Sequence, residues 1–323
     1  MRLSPDLPVT LERHQVTIYL TAIVVGAIAG LLAPGAGSTL EHVINPALAA
    51  LLYVTFLQVP IGQLVRAVRD ARFLGVLLVV NFVVVPLVVA ALYQVLPADN
   101  GIRAGVLLVL LCPCVDYVIV FSGLAGGDSR RLLAATPLLL LVQMALLPLF
   151  LALFLGDDVA SVVDATPFLT AFIVLILIPL VLAWLTQVST SRSVALQRFR
   201  SVADGAMVPL MALVLFVVVA SQMHTLDDHL GDIVTVIPVY VVFLAVMVVL
   251  GLLIARWAGL DLAGRRAVGF SGATRNSLVV LPLALALPAE YGVAASVVVL
   301  QTLIEVVGMV VLVAVVPRVT SGG

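Results

Sequence analysis

Two apolar stretches of the chain are interrupted near their middles by residues that could bind or move a small ion or solute. These residues are Cys112, Pro113, Cys114 and Asp116 in the first stretch, and Gly272, Thr274, Arg275, Asn276 and Ser277 in the second. Inside a membrane, charged groups and broken helices persist only where they face protein or a water-filled path. One such interruption in each half of the chain therefore predicts a transport site.

Asp116 and Arg275 are the two charged residues of these interruptions. Placing either one alone in hydrocarbon costs roughly 3 kcal/mol on insertion scales, so we expect the two side chains to face each other. One interpretation is a salt bridge that only holds the two stretches together. The other is a gating pair that opens during transport, or an arginine that stands where a relative binds a cation.

Glu305 lies halfway along the last apolar stretch and has no obvious basic partner beyond this pair. A carboxyl group in such a place can take up and release a proton, which predicts a coupling role. The alternative is a neutral glutamic acid that is hydrogen-bonded to a neighbouring helix.

Several other polar residues could contact a solute. A regular helix would place Cys112 and Cys114 about 200° apart, so they could hold one ion together only if Pro113 breaks the turn. Cys114 is either a thiol that faces the cavity or an inert buried residue. The oxygens near the second interruption could coordinate a cation or a hydroxylated solute, whereas mid-span amides such as Asn81 and Gln143 could also join helices by hydrogen bonds. No metal site is predicted.

The composition shows which elements must hold these residues. With 63% hydrophobic and 10% charged residues and a mean hydropathy of +1.28, the 323-residue chain is predicted to be an all-α, multi-pass membrane protein without a separate soluble domain. Windows of about 20 apolar residues predict ten spans. They cover residues 16–34, 45–64, 73–96, 104–127, 132–155, 167–187, 206–223, 234–255, 267–287 and 293–316.

The arginines predict the orientation of these spans. All 16 basic residues are arginine, and outside the spans all except Arg103 fall on one side of the predicted membrane. Basic residues concentrate in cytoplasmic loops, so both termini are expected to be cytoplasmic. The absence of lysine suggests a GC-rich genome, and we expect a bacterial protein of the plasma or inner membrane.

This topology predicts an inverted repeat. Residues 1–155 would form the first five-helix repeat and residues 156–323 the second, with opposite orientation and with the interrupted span fourth in each. That arrangement is typical of secondary transporters whose site lies at the midplane. The chain contains no GxxxxGK[ST] loop for ATP. We expect no cofactor, no nucleic acid and no obligatory protein partner, only a small solute and the lipid bilayer.

An integral-membrane enzyme is a distant alternative. Asp116 and Glu305 could then act as acid and base, or Cys114 as a nucleophile. No histidine lies deep in a predicted span to activate the thiol, and no polar loop is large enough to cap a lipid substrate. We therefore predict that the protein is not an enzyme.

Several motifs resemble the arsenite efflux permeases of the bile acid:sodium symporter superfamily. The matching segments are VNFVVVPL with Asn81, CVDYVIVFSGLAGGD from Cys114, FSGATRNS with Asn276, and IEV with Glu305. The resemblance implies ten spans in two inverted repeats, with spans 4 and 9 unwound where they cross. It also places the family's essential thiol on Cys114, its glutamine on Gln143 and its membrane glutamate on Glu305.

The chain departs from that family at the residues expected to contact the solute. Arg275 stands in place of an Asn, Leu278 in place of an acid and Pro113 in place of an Arg, and Asp116 is not part of the pattern. A fixed guanidinium would occupy space that sodium fills in the bile acid branch, which favours proton coupling through Glu305 over sodium coupling.

The resemblance therefore implies proton-coupled efflux of a neutral trihydroxy metalloid such as arsenite or antimonite. The alternative is a sodium- or proton-coupled symporter of an organic anion, whose carboxylate Arg275 could hold with two hydrogen bonds.

Overall fold

The structure is a computed structural model, and it confirms that the chain is all-helical. It describes residues 11, 14–33, 35, 37–57, 70–115, 117–155, 170, 172–190, 194–228 and 230–320. Within these residues every regular element is a helix, and the one β-type pairing is a single bridge. Asp116 lies outside the described residues.

The described residues contain twelve α-helices of eight or more residues. In chain order they are α1 (Gln15–Leu32), α2 (Gly37–Leu57), α3 (Ala71–Tyr93), α4 (Asn100–Leu110), α5 (Tyr117–Leu124), α6 (Ser129–Leu155), α7 (Ile178–Thr190), α8 (Val194–Asp228), α9 (Ile237–Trp257), α10 (Leu262–Ala273), α11 (Ser277–Leu285) and α12 (Val293–Thr320). Short turns of other helix types occur as well. A π-helical turn interrupts α3 at Val80–Val84, another precedes α7 at Phe172–Leu177, and 3₁₀ turns precede α9 and α12.

Seven helices of the described residues are long and apolar enough to cross a membrane, which confirms a multi-pass membrane protein. They coincide with seven of the ten predicted windows. The windows at 104–127 and 267–287 each contain two short helices, α4 and α5 or α10 and α11, separated by a break. The window at 167–187 includes residues outside the described part. The count of ten spans therefore stays a prediction.

The chain divides into two units that alternate along the sequence. The first unit contains residues 1–61 and 166–228, which include α1, α2, α7 and α8. In this unit Gly26 and Gly30, one helical turn apart on α1, let the backbone of α8 approach closely. A Cβ atom at Gly30 would lie only 2.6 Å from the carbonyl oxygen of Ala220, so this contact depends on the small residue.

The second unit contains residues 62–165 and 229–323, which include α3 to α6 and α9 to α12. Glycines again permit close packing, since a Cβ atom at Gly251 of α9 would lie 2.8 Å from the Cα atom of Gly269 in α10. At Gly272 a Cβ atom would lie 2.8 Å from Cγ1 of Val80, where the π-helical turn of α3 begins. The predicted repeats, residues 1–155 and 156–323, stay a prediction.

Arg131 forms ion pairs with three aspartates, each of which lies at the start of a different helix of the second unit. Its guanidinium contacts Asp70 at 3.1 Å, Asp128 at 3.3 Å and Asp261 at 2.7 Å. Asp70 caps α3 and Asp128 accepts from the first turn of α6, while Asp261 precedes α10. All four side chains are partly exposed, so these pairs orient the helix ends more than they stabilise the fold.

Candidate functional site

The two breaks in the second unit lie beside each other and share backbone hydrogen bonds. Pro113 cannot donate a backbone hydrogen bond, so the helix that ends at Leu110 does not continue through it. Pro113 and Arg275 form an antiparallel bridge. On either side of it, the N–H of Cys114 donates to the carbonyl of Thr274 at 3.2 Å, and the N–H of Asn276 donates to the carbonyl of Cys112 at 2.8 Å. Each break thus satisfies backbone groups that the other leaves unpaired.

The side chain of Arg275 is fully buried beside this bridge and is held by neutral oxygens. Its terminal nitrogen Nη2 donates to the carbonyls of Ser271 at 2.6 Å and Gly272 at 2.8 Å, and to Oδ1 of Asn81 at 2.9 Å. The other terminal nitrogen, Nη1, donates to the carbonyl of Leu110 at 3.2 Å. We call these four oxygens the oxygen cage.

The oxygen cage follows from the two breaks. The last carbonyls of a helix have no partner within that helix, and Ser271, Gly272 and Leu110 all lie in the last turns of α10 and α4. The negative ends of two helix dipoles therefore face one guanidinium, which favours a cation at this position. The ring of Phe243 lies 5.5 Å from the guanidinium carbon and adds a cation–π contact.

Glu305 lies on the other side of Arg275 and accepts three hydrogen bonds. The hydroxyl of Tyr117 donates to Oε1 at 2.5 Å, and the backbone N–H of Arg275 donates to Oε2 at 2.7 Å. Gln301, one turn earlier on α12, donates a further short hydrogen bond to Oε2. Three donors on two oxygens suit an ionised carboxylate, which only accepts hydrogen bonds.

The predicted pair of Asp116 and Arg275 stays a prediction, because Asp116 is outside the described residues. Within the described part, no carboxylate lies within ion-pair distance of the Arg275 guanidinium, since all three recorded ion pairs belong to Arg131. Glu305 reaches the backbone of Arg275, not its side chain.

Four of the predicted site residues have side chains that are already engaged. Asn81 connects α3 to α10, donating to the hydroxyl of Ser271 at 3.0 Å and accepting from Arg275. The hydroxyl of Thr274 donates to a carbonyl of α10, and that of Ser277 accepts from α12. Asn276 caps α11 through Oδ1, at 3.3 Å from the backbone N–H of Val279. All four are therefore part of the framework of the breaks.

Cys114 lies within the first break, whereas Gln143 lies on α6 and outside both breaks. The thiol of Cys114 is buried within the bridged segment, beside Arg275 and Tyr117. Gln143 is buried on α6, and its amide nitrogen lies 3.9 Å from the sulfur of Met144. Within the described residues, no recorded hydrogen bond connects Gln143 to the oxygen cage or to Glu305.

Sequence reasoning did not assign Tyr117, Ser271 or Gln301 to the site. Gln301 precedes Glu305 by four residues, which places both on the same face of a helix and would have indicated the contact. Tyr117 directly follows Asp116 at the start of α5, but nothing in its sequence position indicates a hydrogen bond to α12.

Three buried polar atoms around Glu305 and Arg275 have no hydrogen-bond partner among the described residues. They are Nε of Arg275, Nδ2 of Asn276 and Oε1 of Gln301. Buried polar atoms in native proteins are nearly always paired, so these two donors and one acceptor are groups that a water or a polar ligand could pair.

Comparisons with known proteins identify the class of protein. No curated protein matches the chain significantly. A model of the Sodium Bile acid symporter family matches residues 45–229, more than half of the chain, from α2 through α8. This range contains Asn81, Cys114 and Gln143, whereas Arg275 and Glu305 lie beyond it. The chain therefore belongs to the sodium bile acid symporter family, a family of membrane transporters.

Proposed function

We propose that this protein is a secondary active transporter that exports arsenite or antimonite in exchange for a proton. The observation that carries this proposal is the position of Glu305, a buried carboxylate that accepts hydrogen bonds from Tyr117, from Gln301 and from the backbone of the second break. A proton that binds Glu305 removes the negative charge to which these three donors point and so weakens their hydrogen bonds. Protonation would thereby change the contacts of the break itself.

Arg275 supports proton coupling over sodium coupling. The oxygen cage consists of three backbone carbonyls and one amide oxygen, which are ligands that a hard cation such as sodium would also use. The guanidinium occupies this cage and is covalently part of the chain. We therefore treat Arg275 as a permanently bound cation, which leaves Glu305 as the group that exchanges a coupling ion.

The substrate assignment depends on Cys114 and the unpaired polar atoms. A trivalent arsenic or antimony hydroxide is neutral, binds thiolates and carries hydroxyl groups that both donate and accept hydrogen bonds. The Cys114 thiol would supply the soft ligand, and Nδ2 of Asn276 and Oε1 of Gln301 would hold the hydroxyls. Thr274, Ser277 and Asn81 keep these groups in position through their own hydrogen bonds.

The proposed topology is ten spans in two inverted five-helix repeats, with both termini in the cytoplasm of a bacterial cell. Spans 4 and 9 are the pairs α4 and α5, and α10 and α11. The solute binds from the cytoplasm, the transporter changes to its outward-open state, and protonation of Glu305 from outside resets it.

The test is arsenite uptake into everted membrane vesicles under an imposed proton gradient. We expect accumulation in the natural chain and its loss in both Cys114→Ala and Glu305→Gln. Cys112→Ala is the matched control, because it removes the neighbouring buried thiol and should retain transport. Uptake that persists in Glu305→Gln, with the protein shown to be inserted, would contradict the proton-carrier role.

The second candidate is a sodium- or proton-coupled symporter of an organic anion, which the family match favours. The geometry of Arg275 weakens it, since both terminal nitrogens are already engaged and only Nε remains for a carboxylate. Labelled organic acids, assayed for sodium-dependent uptake in right-side-out vesicles, would separate the two candidates. Sodium-dependent uptake of such an acid, together with no arsenite accumulation, would favour the second.

A further inference from the structure

A groove between α9, α10 and α12 lies outside the transport site. It has a volume of about 250 Å³ and is lined by apolar side chains, among them Val249, Leu253 and Val319, with Arg256 and Arg265 beside them. Val249 is 52% exposed, Leu253 40% and Val319 65%. Side chains of this kind on a membrane-spanning helix indicate a surface that faces lipid.

Among the described residues, the two arginines of the groove form no ion pair. Nε of Arg265 donates to the carbonyl of Leu260 at 2.7 Å, which fixes the side chain and leaves its two terminal nitrogens without a recorded partner. The side chain of Arg256 is exposed at the end of α9 and makes no hydrogen bond or ion pair in the described part of the chain. Two cationic groups therefore border one apolar groove whose described lining contains no acidic residue.

The groove lies at the level of a membrane–water interface. Trp257, directly after Arg256, is 82% exposed, and tryptophan is enriched at the headgroup level of membranes. Arg318 is exposed near the end of α12 and directly precedes Val319, a residue of the groove lining. The arginines thus lie where lipid phosphates lie, while the apolar lining continues toward the middle of α9.

We propose that this groove binds an anionic diacyl phospholipid. The phosphate would accept hydrogen bonds from Arg256 and from the terminal nitrogens of Arg265, and an acyl chain would lie along Val249, Leu253 and Val319. Guanidinium groups bind phosphate oxygens with two hydrogen bonds, and basic pockets between membrane helices recognise anionic headgroups. The unbalanced charge selects an anionic lipid over a zwitterionic one, because a choline or ethanolamine group would add a positive charge beside two others.

The test is native mass spectrometry of the purified, detergent-solubilised transporter titrated with phosphatidylglycerol or phosphatidylcholine of the same acyl chains. We expect the natural chain to bind phosphatidylglycerol more tightly, with a preference that falls about 5-fold in Arg256→Gln and about 30-fold when Arg265→Gln is added. Arg130→Gln is the matched control. It removes an exposed arginine of the same unit outside the groove, and it should retain the preference.

Leu253→Trp tests the apolar half of the groove and retains both arginines. This variant should retain less phosphatidylglycerol than the natural chain. In a separate competition experiment, soluble glycerol phosphate should not displace the lipid from the natural chain, because it lacks the acyl chains. Equal binding of the two lipids, an equal loss in Arg130→Gln, or unchanged retention of phosphatidylglycerol in Leu253→Trp would overturn the proposal. If the double variant does not fold, the lipid preference of Arg256→Gln alone tests the proposal. The Arg256 side chain makes no hydrogen bond or ion pair in the described residues, so its replacement should not affect folding.

Discussion

Removing the Arg275 side chain should create a cation site. In Arg275→Ala, three backbone carbonyls and Oδ1 of Asn81 lose the donors that now lie 2.6 to 3.2 Å from them. These oxygens are held by the ends of α4 and α10 and by α3, so the cage should keep its shape after the guanidinium is gone. The vacated volume is lined by acceptors and faces two negative helix ends.

The loss of stability follows from the number of hydrogen bonds. Nη2 has two hydrogens for its three acceptors and Nη1 adds one bond, which makes three full hydrogen bonds. A hydrogen bond to a charged group contributes about 1.5 to 3 kcal/mol, so the three would sum to about 5 to 9 kcal/mol. Water entering the cage reduces this sum, and breaking a buried charge network costs about 3 to 5 kcal/mol in measured cases. At roughly 2 °C per kcal/mol, we expect the melting temperature to fall by about 6 to 10 °C.

The assay is thermal unfolding of purified Arg275→Ala with added guanidinium, urea or sodium at low concentration. Guanidinium has the shape and charge of the missing group and should stabilise the variant, by about 2.7 kcal/mol at a hundred times its dissociation constant. Urea has the same planar shape without the charge and should have little effect. Sodium should also stabilise the variant, and it should leave the natural chain unchanged.

Two results would refute this reasoning. The first is a variant as stable as the natural chain, which would mean that the cage oxygens find other partners. The second is equal stabilisation by guanidinium and urea, which would mean that the cage does not select for charge. Arg256→Ala is the control variant, because it removes an exposed arginine without a cage and should show neither the loss nor the rescue.

The remaining predictions concern single contacts. Tyr117→Phe removes the 2.5 Å hydrogen bond to Glu305, so proton-driven uptake should fall about 10- to 100-fold, measured in everted vesicles. Gly30→Ala places a Cβ atom 2.6 Å from a backbone oxygen of α8 and should cost about 1 to 3 kcal/mol of unfolding free energy in thermal denaturation, whereas Gly35→Ala meets nothing within 4 Å and should cost none. Arg131→Gln removes three exposed ion pairs and should cost about 1 to 2 kcal/mol at low salt, and less at high salt, in the same measurement.

The positions of the two breaks could be predicted from residue types. Pro113 cannot continue a helix, and Arg275 cannot stay in lipid without partners, so each marks a departure from a regular span. The family resemblance implied that the two breaks cross, but the pairing of their backbones was not predicted. Hydrogen-bond partners 160 residues apart leave no periodic signal in the chain.

The partners of Arg275 show the limit of charge-based reasoning. Sequence alone suggested Asp116, because an acid is the obvious neighbour of a buried arginine. In the described residues the guanidinium is held by carbonyls of Ser271, Gly272 and Leu110, which every residue possesses and which become acceptors only where a helix ends. The Arg131 cluster was missed for a related reason, since its three aspartates each resemble an ordinary loop residue.

The backbone bridge between Pro113 and Arg275 also constrains the order of assembly during synthesis. The N–H of Cys114 and the carbonyl of Cys112 emerge from the ribosome long before Thr274 and Asn276, their partners, exist. Until then the first break would leave unpaired polar groups in lipid, each at a cost of several kcal/mol. We therefore expect span 4 to remain in contact with the translocon or water until span 9 is made. We also expect a nascent chain that stops before span 9 to be degraded by proteases.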